Sequence, residues 1–206
     1  MTDAQPDLVV FSDLDGTLLD EETYSFEAAR EALGTLAARG VTLVLCSSKT
    51  RIEMERCAQA MGLASPLVGE NGGAILWPHA GGYTVLARGT PRRRLIAALE
   101  DIAGETGAVL RGFSTLSADE VARLTRLSTE AAREAMAREY DEPFLVDAGD
   151  IGRIASAAER RGLRVTRGGR FHHLTGPPDK GQAVREIVAT YQAAGRHVRS
   201  AALGDS

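Results

Sequence analysis

Apolar positions change their spacing several times along the chain, and each change marks a new element. Leu8, Val9, Val10 and Phe11 form a short continuous apolar run, the pattern of a strand buried on both faces. Over residues 25–39 the spacing becomes helical, with Ala29, Leu33, Leu36 and Ala37 in one stripe and Gly40 placed to end it. Residues 41–46 read as a second buried strand. Residues 50–61 read as a helix, with Met54, Cys57, Ala58 and Met61 on one face. Pro66, Leu67 and Val68 make a short third strand before the turn Gly69-Glu-Asn-Gly-Gly73. Strands and helices alternating through short connections predict a parallel α/β sheet.

The pattern then loses this alternation. Two short apolar runs, 74–77 and 83–86, flank a Pro-His-Ala-Gly-Gly turn and predict a hairpin. Pro91 opens a helix carrying Leu95, Ile96, Leu99, Ile102 and Ala103, and Ser117-Ala-Asp-Glu120 is a capping box before another. Ser128 or Thr129 caps a helix to about Arg138, residues 143–146 read as a strand, and 151–161 as a helix. Strands over 163–166 and 170–174 follow, joined through Gly168 and Gly169. A strong helix over 181–194 and an apolar strand over 197–203 return to the first pattern. The expected fold class is α/β, a doubly wound parallel-sheet (Rossmann-like) core with an inserted α+β cap. The core would occupy 1–85 and 176–206, and the cap 86–175.

Composition narrows the class without naming a function. The 206 residues are 44% hydrophobic and 25% charged, with a formal net charge of -4. These values set aside a disordered chain, a collagen-like repeat and a coiled coil, and give no electrostatic footprint for general nucleic-acid binding. Apolar runs fall short of a bilayer span, and the first residues carry no basic, signal-like region. Two cysteines, Cys46 and Cys57, do not make a disulfide framework, so a cytoplasmic protein with no membrane partner is expected. The sequence leaves the oligomeric state open. Of the 24 basic residues only Lys49 and Lys180 are lysine. A lysine is a compact point charge where arginine is a planar fork, so a pocket that needs the former cannot use the latter.

The chemistry begins directly after the first strand, at Asp13-Leu-Asp15-Gly16-Thr17. Side chains two apart on a strand point the same way, so both carboxylates project from the carboxyl end of the sheet. Gly16 permits the sharp exit. Such a pair suits a hard cation, or attack by a carboxylate on phosphorus. The plainer alternative is an acidic turn of the common Asp-Gly type.

This motif resembles the first motif of the haloacid dehalogenase superfamily of phosphotransferases. The family's later motifs have ordered counterparts here: Ser47 ends the second core strand, Lys180 opens a later helix, and Gly204-Asp-Ser206 begins an acidic cluster. An insertion between the second and third motifs resembles the Cof-like branch. Within it the chain is similar to the mannosyl-3-phosphoglycerate phosphatase family at Cys46-Ser-Ser-Lys-Thr50, Gly69-Glu-Asn-Gly-Gly73, Arg138-Glu-Tyr-Asp-Glu-Pro-Phe144 and Gly168-Gly-Arg-Phe-His-His-Leu174.

The resemblance implies a phosphatase that forms an aspartyl-phosphate and acts on a small phosphorylated glycoside, 2-O-mannosyl-3-phosphoglycerate. It implies Asp13 as nucleophile, Asp15 as acid and base, Ser47 and Lys180 on the phosphoryl group, and Mg²⁺ held by Asp13, Asp15 and Asp205. Ser48, Lys49, Glu70, Asn71 and Gly72, with Arg170 and His172 on one strand face of the cap, are the substrate-binding candidates. A loop at Tyr140, Asp141 and Glu142 is a further candidate for the sugar hydroxyls. Ser47 as a helix N-cap, Lys180 as a solvated first-turn lysine, Arg170 as a surface arginine and His172 as a half-buried strand histidine stay open beside these roles.

Other readings are a different sugar phosphatase of the branch and a phosphoacceptor signalling domain, although the latter expects an aspartate after the third strand, where Glu70 and Asn71 stand. A third is an inactive fragment. The family's acidic cluster continues beyond the equivalent of Ser206, so the expectation is a chain truncated inside that motif, with low stability and weak turnover.

Overall fold

The computed structural model describes residues 7–20, 23–177 and 179–204. Two compact units emerge. One gathers Met1–Ser48, Met54–Leu86 and Asp179–Ser206, the other Lys49–Glu53 and Ala87–Pro178.

The first unit is built on a six-stranded sheet. Its strands are β1 (Asp7–Ser12), β2 (Thr42–Cys46), β3 (Leu67–Gly69), β4 (Ala74–His79), β5 (Gly82–Ala87) and, from the end of the chain, β10 (Val198–Leu203), in the order β10-β1-β2-β3-β4-β5. Strands β10, β1, β2 and β3 run parallel, and β4 turns back antiparallel on β3. One face carries Val9, Phe11, Val44, Cys46 and Val68, and α7 (Lys180–Ala193) buries Ala183 and Ile187 against it. Val10, Leu43 and Leu45 alternate with these and are also buried, as a sheet covered on both faces requires. Helix α1 (Arg30–Ala38) contacts β2. It begins later than its apolar spacing predicts, because residues Glu27–Ala29 wind as a 3₁₀ turn after Ser25 Oγ accepts the Glu27 N–H at 3.2 Å.

Helix α2 (Arg51–Ala60) starts at a capping box that the sequence pattern Thr50-x-x-Glu53 carries. The Thr50 N–H donates to Glu53 Oε2 at 2.9 Å, and the Glu53 N–H to Thr50 Oγ1 at 3.4 Å. Thr50, and not Ser47, is therefore the residue that caps this helix.

The second unit is a four-stranded antiparallel sheet with helices. Its strands β6 (Val109–Gly112), β7 (Asp141–Ala148), β8 (Arg164–Gly168) and β9 (Phe171–Thr175) lie in the order β6-β7-β9-β8. Helices α3 (Arg92–Thr106) and α6 (Ile151–Glu159) pack Leu95, Leu99, Ile102, Ile154 and Ala157 with Phe144 and Leu174 of the sheet. Helices α4 (Ala118–Thr125) and α5 (Thr129–Met136) form a separate cluster, Val121 and Ala132 with Phe113 and Phe171. Ser117 and Glu120 form the predicted capping box, and Ser128 caps α5.

Two expectations for this unit need correction, and one strand has no counterpart in the sequence pattern. Strand β6 has too short an apolar run to stand out in the sequence. Strand β9 begins at Phe171, so Arg170 stands exposed in the turn after Gly169 and does not share a strand face with His172. Asp141 and Glu142 are not loop residues. They belong to β7 and are fully buried.

Candidate active site

The carboxyl ends of β1 and β2 and the start of α7 bring the sequence motifs of the first unit together. Asp13 leaves β1 with its N–H on the Leu203 carbonyl at 3.0 Å, which continues the pairing of β1 with β10. Its Oδ1 accepts the Leu14 N–H at 2.7 Å. The loop then closes on itself. Leu14 and Leu19 are buried as anchors, and the Leu14 carbonyl accepts N–H groups from Thr17, Leu18 and Leu19. Gly16 takes φ 69°, the left-handed conformation that turns Asp15 back beside Leu19.

Lys180, first residue of α7, donates its ammonium to Asp13 Oδ2 at 2.6 Å across 167 positions of sequence. A lysine in a first helical turn opposes the helix dipole, and this ion pair supplies its reason for being there. Asp179 caps α7 through a 2.9 Å bond from the Gln182 N–H. The pair keeps part of both side chains in contact with water, 20% for Asp13 and 32% for Lys180.

Ser47 is fully buried after β2, its N–H on the Val68 carbonyl at 2.9 Å. Its own carbonyl accepts the Asn71 N–H at 3.0 Å, so the Glu70–Gly72 turn is tied to it. Glu70 and Asn71 hold φ of 47° and 58°, a cost of order 1–3 kcal/mol each for non-glycine residues. Ser48 and Lys49 are half-buried. Gly72 packs on the backbone of Asp179 and Lys180, so it supports the lysine. Cys46, which the sequence marked only as a strand residue, lies close enough to feel both Lys180 and Asp13. Burial pushes its thiol up to about 12, with Lys180 pulling the other way and Asp13 adding to the rise. It is therefore a protonated wall of the site, not a nucleophile.

Asp205 lies outside the described residues. Among the described residues, no group of three or more His, Cys, Asp or Glu side chains is gathered to hold a metal ion. The donors at the Asp13 loop are nonetheless all oxygen. A carboxylate offers about four lone-pair sites, and the two bonds to Asp13 leave capacity for a hard cation.

In the second unit, the polar residues at the heart of the sheet are Asp141 and Glu142, two of the candidates for the sugar hydroxyls, and both are engaged within the protein. Asp141 Oδ2 accepts from Arg138 at 2.6 Å and lies 2.7 Å from His173 Nδ1. Glu142 Oε2 accepts from Arg92 at 2.6 Å, and its Oε1 from the Ser114 N–H at 2.8 Å. His172 lies half-buried with its ring centroid 5.6 Å from that of Phe144. Burial and the Arg167 charge hold its imidazolium below the usual range.

The first unit thus holds a carboxylate at the end of β1 with a lysine on it, and a fully buried serine just past the end of the neighbouring strand β2. The model of the haloacid dehalogenase-like hydrolase family matches residues 10–145, and the chain belongs to that family. It is 39% identical over 212 residues to a glucosyl-3-phosphoglycerate/mannosyl-3-phosphoglycerate phosphatase of Methanococcoides burtonii, covering 96% of this chain and 78% of that one. A protein of the same description from Persephonella marina is 34% identical, covering 90% and 73%. With these relatives the chain is a phosphatase, a phosphoric monoester hydrolase. Solved structures share the fold. A Thermoplasma acidophilum protein superposes with TM-score 0.67 at 22% identity, covering 91% of this chain and 72% of that one. A phosphatase of the superfamily from Bacteroides thetaiotaomicron superposes with TM-score 0.65 at 17% identity, covering all of this chain and 80% of that one. Among the described residues, no helix is long and apolar enough to cross a membrane.

Proposed function

We propose that the protein hydrolyses the phosphate ester of a glycosyl-3-phosphoglycerate, with Asp13 as nucleophile. The observation that carries the reading is the 2.6 Å pairing of Lys180 with Asp13 Oδ2, which sets a cation beside the carboxylate that attacks. A phosphate dianion approaching Asp13 meets like charge, and Lys180 lowers that barrier as charge spreads over the transferring oxygens. An Asp13 oxygen forms a bond to phosphorus while the ester P–O bond breaks. Asp15 gives its proton to the departing glycerate oxygen. Asp15 then takes a proton from water, whose oxygen forms the new P–O bond as the bond to Asp13 breaks. Ser47 holds a phosphoryl oxygen.

The oxygen donors at this loop suit Mg²⁺, which Asp13, the Asp15 main-chain carbonyl and Asp205 would hold. Bound there, it would offset repulsion between carboxylate and phosphate. Ser48 and Lys49, which follow Ser47 in sequence, and Asn71, whose N–H the Ser47 carbonyl accepts, remain the substrate-binding candidates of this reading. The inserted unit, about residues 86–175, is read as a cap that sets specificity. Its exposed Arg170 is a candidate for the glycerate carboxylate, with His172 near it in sequence. The relatives' names support a glycosyl phosphoglycerate as substrate. Phosphate release from a panel of glycosyl phosphoglycerates and hexose phosphates tests the reading. The glycosyl phosphoglycerates should be turned over best, and Asp13→Asn should remove release from every substrate. Hexose phosphates turned over far better would sink the substrate assignment. An active Asp13→Asn would sink the mechanism.

A further inference from the structure

Alternation along β9 sends its two histidines to opposite faces of the four-stranded sheet. His172 goes with Leu174 to the face packed by α3 and α6, its ring against Phe144. His173 goes with Phe171 and Thr175 to the other face, where α4 and α5 cover Phe171. His173 itself keeps 12% of its side chain in contact with water. Its Nδ1 lies 2.7 Å from Asp141 Oδ2, which also accepts from Arg138 at 2.6 Å. An ionised carboxylate only accepts, so Nδ1 carries the hydrogen and Nε2 of the neutral ring is an acceptor. Nε2 has no hydrogen-bond partner among the described residues, and it is not one of the polar atoms sealed from water.

A glycine keeps that nitrogen open. Gly168 of β8 pairs with Phe171, and a Cβ on it would stand 2.9 Å from His173 Nε2. Thr166 of β8 pairs directly with His173, and Thr175 lies two residues further along β9, so their side chains share this face. Neither threonine hydroxyl is bonded to another described residue. An acceptor nitrogen flanked by two hydroxyls, each able to donate or accept, matches the alcohol groups of a sugar. We propose that His173 is a specificity-determining residue whose Nε2 accepts a hydrogen bond from a hydroxyl of the substrate's glycosyl group, with Thr166 and Thr175 beside it; this rests on the reading of the inserted unit as the part that sets specificity for a glycosyl phosphoglycerate. Asp141 is too deeply buried to meet the sugar and acts through the ring, as a positioning residue that fixes its tautomer and plane.

Kinetics on two ligands separates this role from a structural one. The first is a glycosyl-3-phosphoglycerate. The second is 3-phosphoglycerate, which offers the same ester without the sugar and is followed as a substrate or as a competing inhibitor. His173→Ala should raise KM for the glycosyl substrate about threefold to tenfold, the worth of one hydrogen bond between neutral groups. Its kcat should stay within about twofold, and the constant for 3-phosphoglycerate should not move, as expected for lost binding to the sugar alone. Gly168→Ala should act in the same way, because its methyl group crowds Nε2 while the Asp141 pair stays in place. His173→Gln, which keeps an amide oxygen as acceptor, should recover part of the loss.

Nitrogen NMR of the histidine rings reads the contact directly. In wild type Nδ1 of His173 should carry the proton, and the Nε2 resonance should move when glycosylglycerate, the dephosphorylated product, is added. An unmoved Nε2 at saturating glycosylglycerate, or equal losses on both ligands in His173→Ala and Gly168→Ala, overturns the proposal. Wild type that does not prefer the glycosyl substrate to 3-phosphoglycerate or hexose phosphates means that the substrate reading itself has failed. A clear preference in wild type that both variants keep means that only the role of His173 has.

Discussion

Asp13 meets Lys180 with a fifth and a third of their side chains still open to water. Asp141 and Glu142 meet Arg138 and Arg92 with none of either carboxylate side chain exposed. Both arrangements are carboxylate–cation pairs near 2.6 Å, yet they can do different things. A pair that water reaches can take on a third charged group, because neither partner depends on the other to remain charged. A sealed pair cannot, since removing one partner leaves a charge in a medium that does not solvate it. Charge in the first unit is thus available for chemistry, and charge in the second fixes β7 against α3 and the turn at Ser114.

The sharpest way to break this contrast is to remove one cation from each unit. Arg92→Met leaves Glu142 buried with only the Ser114 N–H, and should destabilise the second unit by about 3–5 kcal/mol in thermal or urea unfolding. Adding Glu142→Leu should recover much of the loss, because the buried charge goes with its partner. A small effect of Arg92→Met alone would show that water reaches Glu142.

Lys180→Met should behave in the opposite sense. Stability should change by only about 1 kcal/mol, because water still reaches both partners of the half-buried pair. Phosphate release should fall by about 10²–10³ in kcat, the usual loss for one group that stabilises transition-state charge. A large stability loss with unchanged turnover would move the lysine from the chemistry to the scaffold.

The same contrast explains what the sequence could and could not reveal. The site of the first unit is legible because its residues sit at strand ends, where Asp13-x-Asp15-Gly16-Thr17, Ser47 and Lys180 are read against apolar runs on either side. Periodicity places those strands, and the motifs follow. The second unit is less legible because its key polar residues lie inside a strand. Asp141 and Glu142 precede Pro143 and look like a polar loop. Only the pairing of Asp141 with Thr175 and Glu142 with Leu174 makes them strand residues. Of their partners, Arg138 opens the Arg138–Phe144 signature, whereas Arg92 is one of 22 arginines and nothing in the sequence marks it. Arg170 stood out for the opposite reason, since its flanking glycines resemble a family signature, and the structure leaves it exposed. One signal was present and unused. Thr50-x-x-Glu53 is a capping box, which would have released Ser47 from that role.

Gly72 gives the finest test of how the first unit holds its charges. A glycine in Glu70-Asn-Gly-Gly73 invites the reading that its backbone approaches a ligand. What approaches instead is the chain itself. A Cβ at Gly72 would stand 2.5 Å from the Asp179 carbonyl oxygen and 2.8 Å from the Lys180 nitrogen. The residue also holds φ 99°, which a side chain resists. Both obstacles are backbone, so rotamer changes cannot relieve them. Gly72→Ala should therefore push the start of α7 away and lengthen the Lys180–Asp13 pair. Turnover should fall by about tenfold, less than for Lys180→Met, with a stability loss of about 1–3 kcal/mol. The decisive measurement is a double variant. Once Lys180 is Met, adding Gly72→Ala should cost little further activity, because the group it displaces is gone. Fully multiplicative losses would mean that Gly72 serves a substrate directly, and that the turn after β3, not only the end of β1, belongs to the chemistry.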